Sequence, residues 1–346
     1  MSRQITVVGG GVIGLSVAWR LARGGRPVTV LDPAPMSGAS WVAGGMLAPV
    51  SEASPGEEHL LVSGTAALEA WPAFAAGLDD PGLRTEGTVV VGFDAADEAE
   101  LDTLGTRLAE LGRDVEALSP GQLRKLEPSI SPVVRSGLLV PGDLAVDNRK
   151  LLRALHKAAT RCGVEFIPAE AARVRPGAVE LADGSTMDCA VAVIAAGAWS
   201  GRLHAALANV IRPVKGEILR LRARPGTLAP PRHTIRALVE SRHSYLVPRD
   251  SGEVVLGATQ YEAGFDTDVT VRGVRDLLAD AERILQGVTE FALVECAAGL
   301  RAGSPDNRPV LGWLEPGVLA ATGHHRNGLL LAPTTADAVA GLVEEE

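Results

Sequence analysis

The chain has 346 residues, 46% of them hydrophobic, and a mean hydropathy of +0.16, so it can bury a large core divided between two domains. A formal charge of −9 with no Lys/Arg block argues against nucleic acid as a partner, and no uncharged apolar run is long enough to span a bilayer. Three widely spaced cysteines, Cys162, Cys189 and Cys296, lack C-x-x-C spacing and so suggest neither a disulfide framework nor a zinc site; they fit a reducing cytoplasm.

Residues 5–32 read as strand, glycine turn, helix and second strand. Ile5, Val7 and Val8 form a β-branched run. Gly9, Gly11 and Gly14 follow in G-x-G-x-x-G spacing, and Leu15, Ala18, Trp19 and Ala22 then recur at helical intervals as far as Gly24 and Gly25. In such a unit the glycines permit the tight turn, the approach of backbone N–H groups to a pyrophosphate, and the packing of helix on strand. Val12 and Ile13 open the helix, whose N-terminus faces the phosphates. Asp32 ends the second strand, residues 27–31, where a carboxylate accepts from a ribose hydroxyl and repels a 2′-phosphate, so a dinucleotide other than NADP is expected. A glycine turn with no ligand is the alternative. Arg3 and the uncharged stretch after it imitate a secretory signal, but the phosphate-loop glycines argue that the segment is retained.

Further along, residues 38–49 (GASWVAGGMLAP) are small and turn-prone, as suits backbone lining a flat ligand. Residues 54–78 read as mixed helix, 88–91 as strand and 96–111 as helix. Asp147 and Asn148 cap a helix over 150–161, and Gly163 ends it. A strand at 164–167 and a hairpin signal at Asp183-Gly184 lead to the apolar run 189–196, which suits a strand buried on both faces of a parallel sheet. Strands at 214–221, 238–240, 244–247 and 254–256, with a turn at Asp250-Ser251-Gly252, predict a second domain on an antiparallel sheet. After a helix at 271–285 and a strand at 291–294, the tail is strand 318–322, a turn at 323–328 and a helix from Leu329. The fold expected is α/β, with residues 1–82, 143–212 and 297–346 forming a discontinuous dinucleotide domain and residues 83–142 and 213–296 a substrate domain.

A second G-x-G-x-x-G is missing, which leaves no obvious site for a nicotinamide reductant. The long loop after Asp32 favours a flavin, since a flavin runs through its domain and needs contacts beyond the first phosphate turn. Such contacts are available from Ser40, Ala43, Gly44, Gly45 and Met46, from Gly197 and Trp199, and from Gly323, His325, Arg326, Asn327, Gly328 and Leu329. His324 and His325 have no carboxylate at ligand spacing and do not read as metal ligands.

Over nearly its whole length the chain resembles the glycine-oxidase branch of the D-amino-acid oxidase family of flavoproteins. The segments that carry the likeness are VVGGGVIGLSVAWRLA, GASWVAGGMLAP, VIAAGAWSG, HSYLVPR, AGLRAGSPDNRPVLG and GHHRNGLLLAP. The resemblance implies that Arg301 pairs with a substrate carboxylate, that Tyr245 donates its phenol to the same group, and that Arg326 lines the site beside the flavin. His243, two residues before Tyr245 on the same strand face, contacts substrate or shapes the pocket. Elementary chemistry agrees for Arg301, since an acidic protein that binds an amino acid needs a charged fork for the carboxylate, although an interdomain ion pair is the competing reading.

The activity implied is oxidative deamination of glycine, sarcosine or D-alanine to an α-keto acid, ammonia and hydrogen peroxide, feeding thiamin thiazole synthesis, with molecular oxygen as co-substrate. D-amino-acid or sarcosine specificity, a quinone-linked dehydrogenase and a flavin-binding module without turnover are the alternatives. Some relatives attach flavin through a cysteine near Arg301, whereas the nearest thiol here is Cys296, so FAD is expected to be noncovalent. Val42, Gly44 and Ala302 depart from the family pattern and bear on pocket shape. A homo-oligomer, a tetramer, is implied by the same resemblance.

Overall fold

The computed structural model describes residues 4–53, 56–239 and 242–345; the expectations resting on Arg3, Ser54 and Glu240 lie outside the described residues. The predicted first unit forms as strand Ile5–Val8, helix Val12–Arg23 and strand Val28–Leu31. It seeds a six-stranded sheet in which Val318–Thr322, Val191–Ile194, Ile5–Val8, Val28–Leu31 and Glu165–Ile167 run parallel, with Val310–Glu315 antiparallel at the edge.

Alternating side chains of these strands enter two cores. Ile5, Val7 and Val193 pack beneath helices Val12–Arg23, Asn148–Arg161 and Gly328–Glu344, whereas Val8, Leu31 and Ile194 pack against the small sheet Ala171–Arg175, Ala178–Leu181, Thr186–Asp188. Burial on both faces is why the run around Val193 reads as continuously apolar. Asp147 caps helix Asn148–Arg161 through the N–H groups of Arg149 and Lys150. Helix Glu58–Ala76 leans on the C-terminal helix, where the fully buried Trp71 donates Nε1–H to the Leu330 carbonyl at 2.9 Å.

The second sheet has eight strands. Arg212–Arg222, Glu253–Gly257, Arg242–Pro248 and Thr234–Val239 form the predicted antiparallel meander, and helix Val271–Ile284 covers it with Leu277, Ala281 and Ile284. Thr234–Val239 runs parallel to Thr88–Gly92, so one pair in the sheet is not antiparallel. The strand expected at 291–294 continues as Ala292–Gly303, paired along its length with Arg212–Arg222; its alanines and glycines carry too little apolar alternation to reveal it. Strand Ser136–Val140 and helix Pro120–Leu126, closed by a capping box between Ser119 and Gln122, were also unexpected. Among the described residues no helix is long and apolar enough to cross a membrane.

Candidate active site

Where the first strand meets its helix, Gly9 has φ +113°, and a Cβ there would lie 2.3 Å from the Ala195 carbonyl oxygen. A Cβ on Gly14 would come within 1.8 Å of the Gly9 oxygen, so this glycine is what lets the helix seat against the turn. Beside them opens a cavity of about 480 Å³ lined by Gly9, Gly11, Val12, Ile13, Asp32, Ser40, Gly197, Trp199, Gly323, His325 and Gly328. Asp32 accepts from Gly10 N at 2.6 Å and Ala34 N at 2.8 Å, one bond to each oxygen, which leaves lone pairs for a ribose hydroxyl. Ser40 Oγ accepts from Val12 N at 3.0 Å and ties the 38–49 loop to the helix N-terminus.

That loop is held from behind by a buried polar network. Asn148 donates to the carbonyls of Ser40 and Trp41, both at 2.8 Å, and its Oδ1 accepts from Arg220 at 3.1 Å and Arg249 at 3.2 Å. Arg249 also donates to the Gly44 carbonyl at 2.6 Å, and burial pulls its pKa down to about 10. Sequence reading did not foresee these contacts, because they join segments far apart in the chain. Arg249→Met is expected to cost about 3 kcal/mol of stability, since it strands buried acceptors, and to lower bound cofactor; thermal unfolding and cofactor content check this.

A second cavity of about 130 Å³ shares Val12, Ser40, Arg301, His325 and Gly328 with the first and adds Ala43, Gly44, Gly45, Met46, Tyr245, Arg326 and Leu329. Three glycines make room for its polar groups. A Cβ on Gly44 would sit 2.6 Å from the Tyr245 ring and one on Gly257 2.4 Å from its hydroxyl, while one on Gly216 would meet the Arg301 guanidinium at 2.3 Å. Arg301 rests Nη1 on the Thr259 carbonyl at 3.3 Å. Burial pushes the Tyr245 phenol up, against the opposing field of Arg301, so it is protonated and can donate. Burial likewise lowers Arg301, and Tyr245 opposes that shift.

Three of the predicted residues lie outside these two walls. Gly14 acts through helix packing, Asn327 lines a small void with Arg326, and His243 is exposed on its strand. Conversely, Glu52, Gly216 and Gly299 line the second cavity without having been expected there. Glu52 alone carried a hint, as the first acid after the GGMLAP stretch.

Burial pulls both histidines of the C-terminal turn down to about 4. His324 shares a 3.0 Å hydrogen bond with Thr335, and His325 also feels Arg301, Arg326 and Arg212. An unfolded histidine keeps a pKa of about 6.5, so as pH falls from about 6.5 toward 4 the unfolded chain takes up protons that the folded one refuses. The stability these residues contribute is therefore complete above pH 6.5 and lost on acidification. Asp143, raised to about 6 by burial, works the other way and costs stability as pH rises from about 4 to 6, where the unfolded carboxyl ionises and the folded one does not. Calorimetry from pH 4 to 7 should show a falling unfolding midpoint toward acid whose slope is reduced in His324→Gln.

A family model described as FAD dependent oxidoreductase matches residues 4–342. The chain belongs to the FAD-dependent oxidoreductase family. The family's dinucleotide is FAD, and the residues of the larger cavity fit it: Gly9 and Gly14 shape the phosphate turn, Asp32 keeps free acceptor capacity, and the buried Nε2 of His325, which lines both cavities, has no partner among the described residues. Among curated relatives, the Bifunctional protein ThiO/ThiG of Nostoc sp. is 33% identical over all of this chain and 53% of its own length, so the chain spans about half of that relative. The glycine oxidase of Geobacillus kaustophilus is 32% identical over 99% of this chain and 93% of its own. The crystal structure of glycine oxidase from Geobacillus kaustophilus superposes with a TM-score of 0.89 at 30% identity, covering 100% of this chain and 96% of that one.

Proposed function

We propose that this FAD-dependent enzyme is an oxidase of glycine and other small amino acids such as sarcosine and D-alanine. The observation that carries the proposal is a cavity of only about 130 Å³, holding Arg301 and Tyr245, that shares a wall with the FAD cleft. The similarity to glycine oxidases supports the same reading. The guanidinium fork of Arg301 and the phenol of Tyr245 bind the substrate carboxylate, while Arg326 closes the far wall. The small volume keeps the α-carbon against the shared wall and excludes water, so catalysis rests on orientation. From the neutral amine the α-hydrogen leaves with its electron pair, and water hydrolyses the imine that forms to the α-keto acid and ammonia, or methylamine where the substrate is sarcosine. FAD held in the larger cavity would supply the acceptor for that hydride, with oxygen as the final acceptor and hydrogen peroxide as the product.

Noncovalent FAD belongs to the same proposal, because Cys296 is exposed and lines neither cavity; a flavin-free protein pellet after acid precipitation is the expected result. So do the division into an FAD domain (1–82, 143–212, 297–346) and a substrate domain (83–142, 213–296), a supply role for thiamin synthesis, and a homo-oligomeric state in the cytoplasm. The function is tested by a peroxide assay with glycine, sarcosine and D-alanine. Dye reduction without peroxide in air would instead indicate a dehydrogenase, and an unreduced flavin with every substrate would overturn the reading.

A further inference from the structure

Among the described residues, Glu52 is the only acidic side chain lining the cavity of Tyr245, Arg301 and Arg326. It follows the 38–49 loop in the turn that Asp143 pins through Val50 N and Ser51 N, at 3.3 and 3.2 Å. One oxygen lies 3.4 Å from Arg236, which also donates to the Ser51 carbonyl, so the carboxylate is held at the wall. Burial by itself would raise Glu52, but Arg236, Arg326, His243 and Arg301 outweigh it and keep the carboxyl below its ordinary value. Such a group stays ionised and makes a poor proton acceptor; its capacity is that of a fixed anion.

We propose that Glu52 receives the substrate's ammonium group, so that the pocket selects zwitterionic amino acids over carboxylates that lack an amine. The inference rests on the reading that this cavity takes a small amino acid. Once the carboxylate of such a ligand sits on Arg301 and Tyr245, the small volume forces its amine to remain within the same shell of charges. Arg236, Arg301 and Arg326 would repel a desolvated ammonium there, and an anion opposite them removes that penalty. A ligand with no amine feels only the repulsion between Glu52 and its carboxylate, which the zwitterion shares, so the preference rests on the ammonium contact alone.

The competing role is plain charge balance for the arginines, and the two roles differ in their effect on paired ligands. With the FAD-loaded enzyme, the glycine dissociation constant is read from anaerobic flavin reduction and that of acetate from perturbation of the flavin spectrum. If Glu52 receives the amine, Glu52→Gln weakens glycine relative to acetate by at least about tenfold, the size of one charge-assisted hydrogen bond. If it only balances charge, both ligands shift together and the ratio holds, which overturns the proposal. Glu52→Asp supplies the same reading should Glu52→Gln fail to retain FAD: the shortened carboxylate retracts from the amine and the ratio falls a few-fold, and an unchanged ratio in whichever variant holds FAD again overturns it. Should wild-type enzyme not be reduced by glycine, sarcosine or D-alanine, the functional reading fails separately, and the ratio is then taken from spectral perturbation by both ligands.

Discussion

Replacing Arg301 with alanine is expected to raise the Michaelis constant for glycine on the order of a hundredfold, while bound FAD is retained. The guanidinium occupies space left by Gly216 and is supported by the Thr259 carbonyl at 3.3 Å, contacts away from the phosphate turn. The proposed carboxylate contact would persist from bound substrate to transition state, so the loss should fall mainly on binding and kcat should change less. Arg301→Lys should recover only part of the affinity, because an ammonium supplies charge without the planar fork. Steady-state kinetics with flavin quantified by absorbance decide the matter. An unaltered Michaelis constant would assign Arg301 to interdomain packing.

A change at Gly14 is expected to act at the other end of the site and with greater breadth. An added Cβ 1.8 Å from the Gly9 oxygen cannot be accommodated by a rotamer change, since the obstacle is backbone. Gly14→Val should drive helix Val12–Arg23 away from the sheet, cost about 3 kcal/mol or more and leave the purified protein without yellow colour. Flavin content and thermal unfolding of the variant report both effects; a stable, yellow Gly14→Val protein would contradict the packing role.

These two positions show unequal legibility in sequence. Gly14 could be read directly, because a period-two apolar run passing through spaced glycines into a 3.6-residue period is a local pattern. Arg301 became readable only through resemblance; nothing in its neighbourhood distinguishes it from the chain's other arginines, and its partner Thr259 lies on a different strand connection. The same reason hides Asn148: the sequence offered it beside Asp147 as a cap, but Asp147 is the cap, and the Asn148 side chain bonds Ser40, Trp41, Arg220 and Arg249 instead. The strand Ala292–Gly303 was underestimated because small residues mask the pleat, whereas Val191–Ile194 announced itself by burial on both faces.

Tyr245 is clamped between Gly44, from the cofactor loop, and Gly257, from the strand beside its own. For anyone wishing to redesign the catalyst this has a practical meaning. Bulkier substrates are commonly admitted by trimming a side chain, but a glycine has nothing to trim, so the dimensions at this wall are written into the main chain. Widening must begin with Tyr245 itself, or with Val42 and Met46 on the loop. A single methyl group at Gly44 or Gly257, by contrast, would come within 2.6 Å of the Tyr245 side chain and force it to shift.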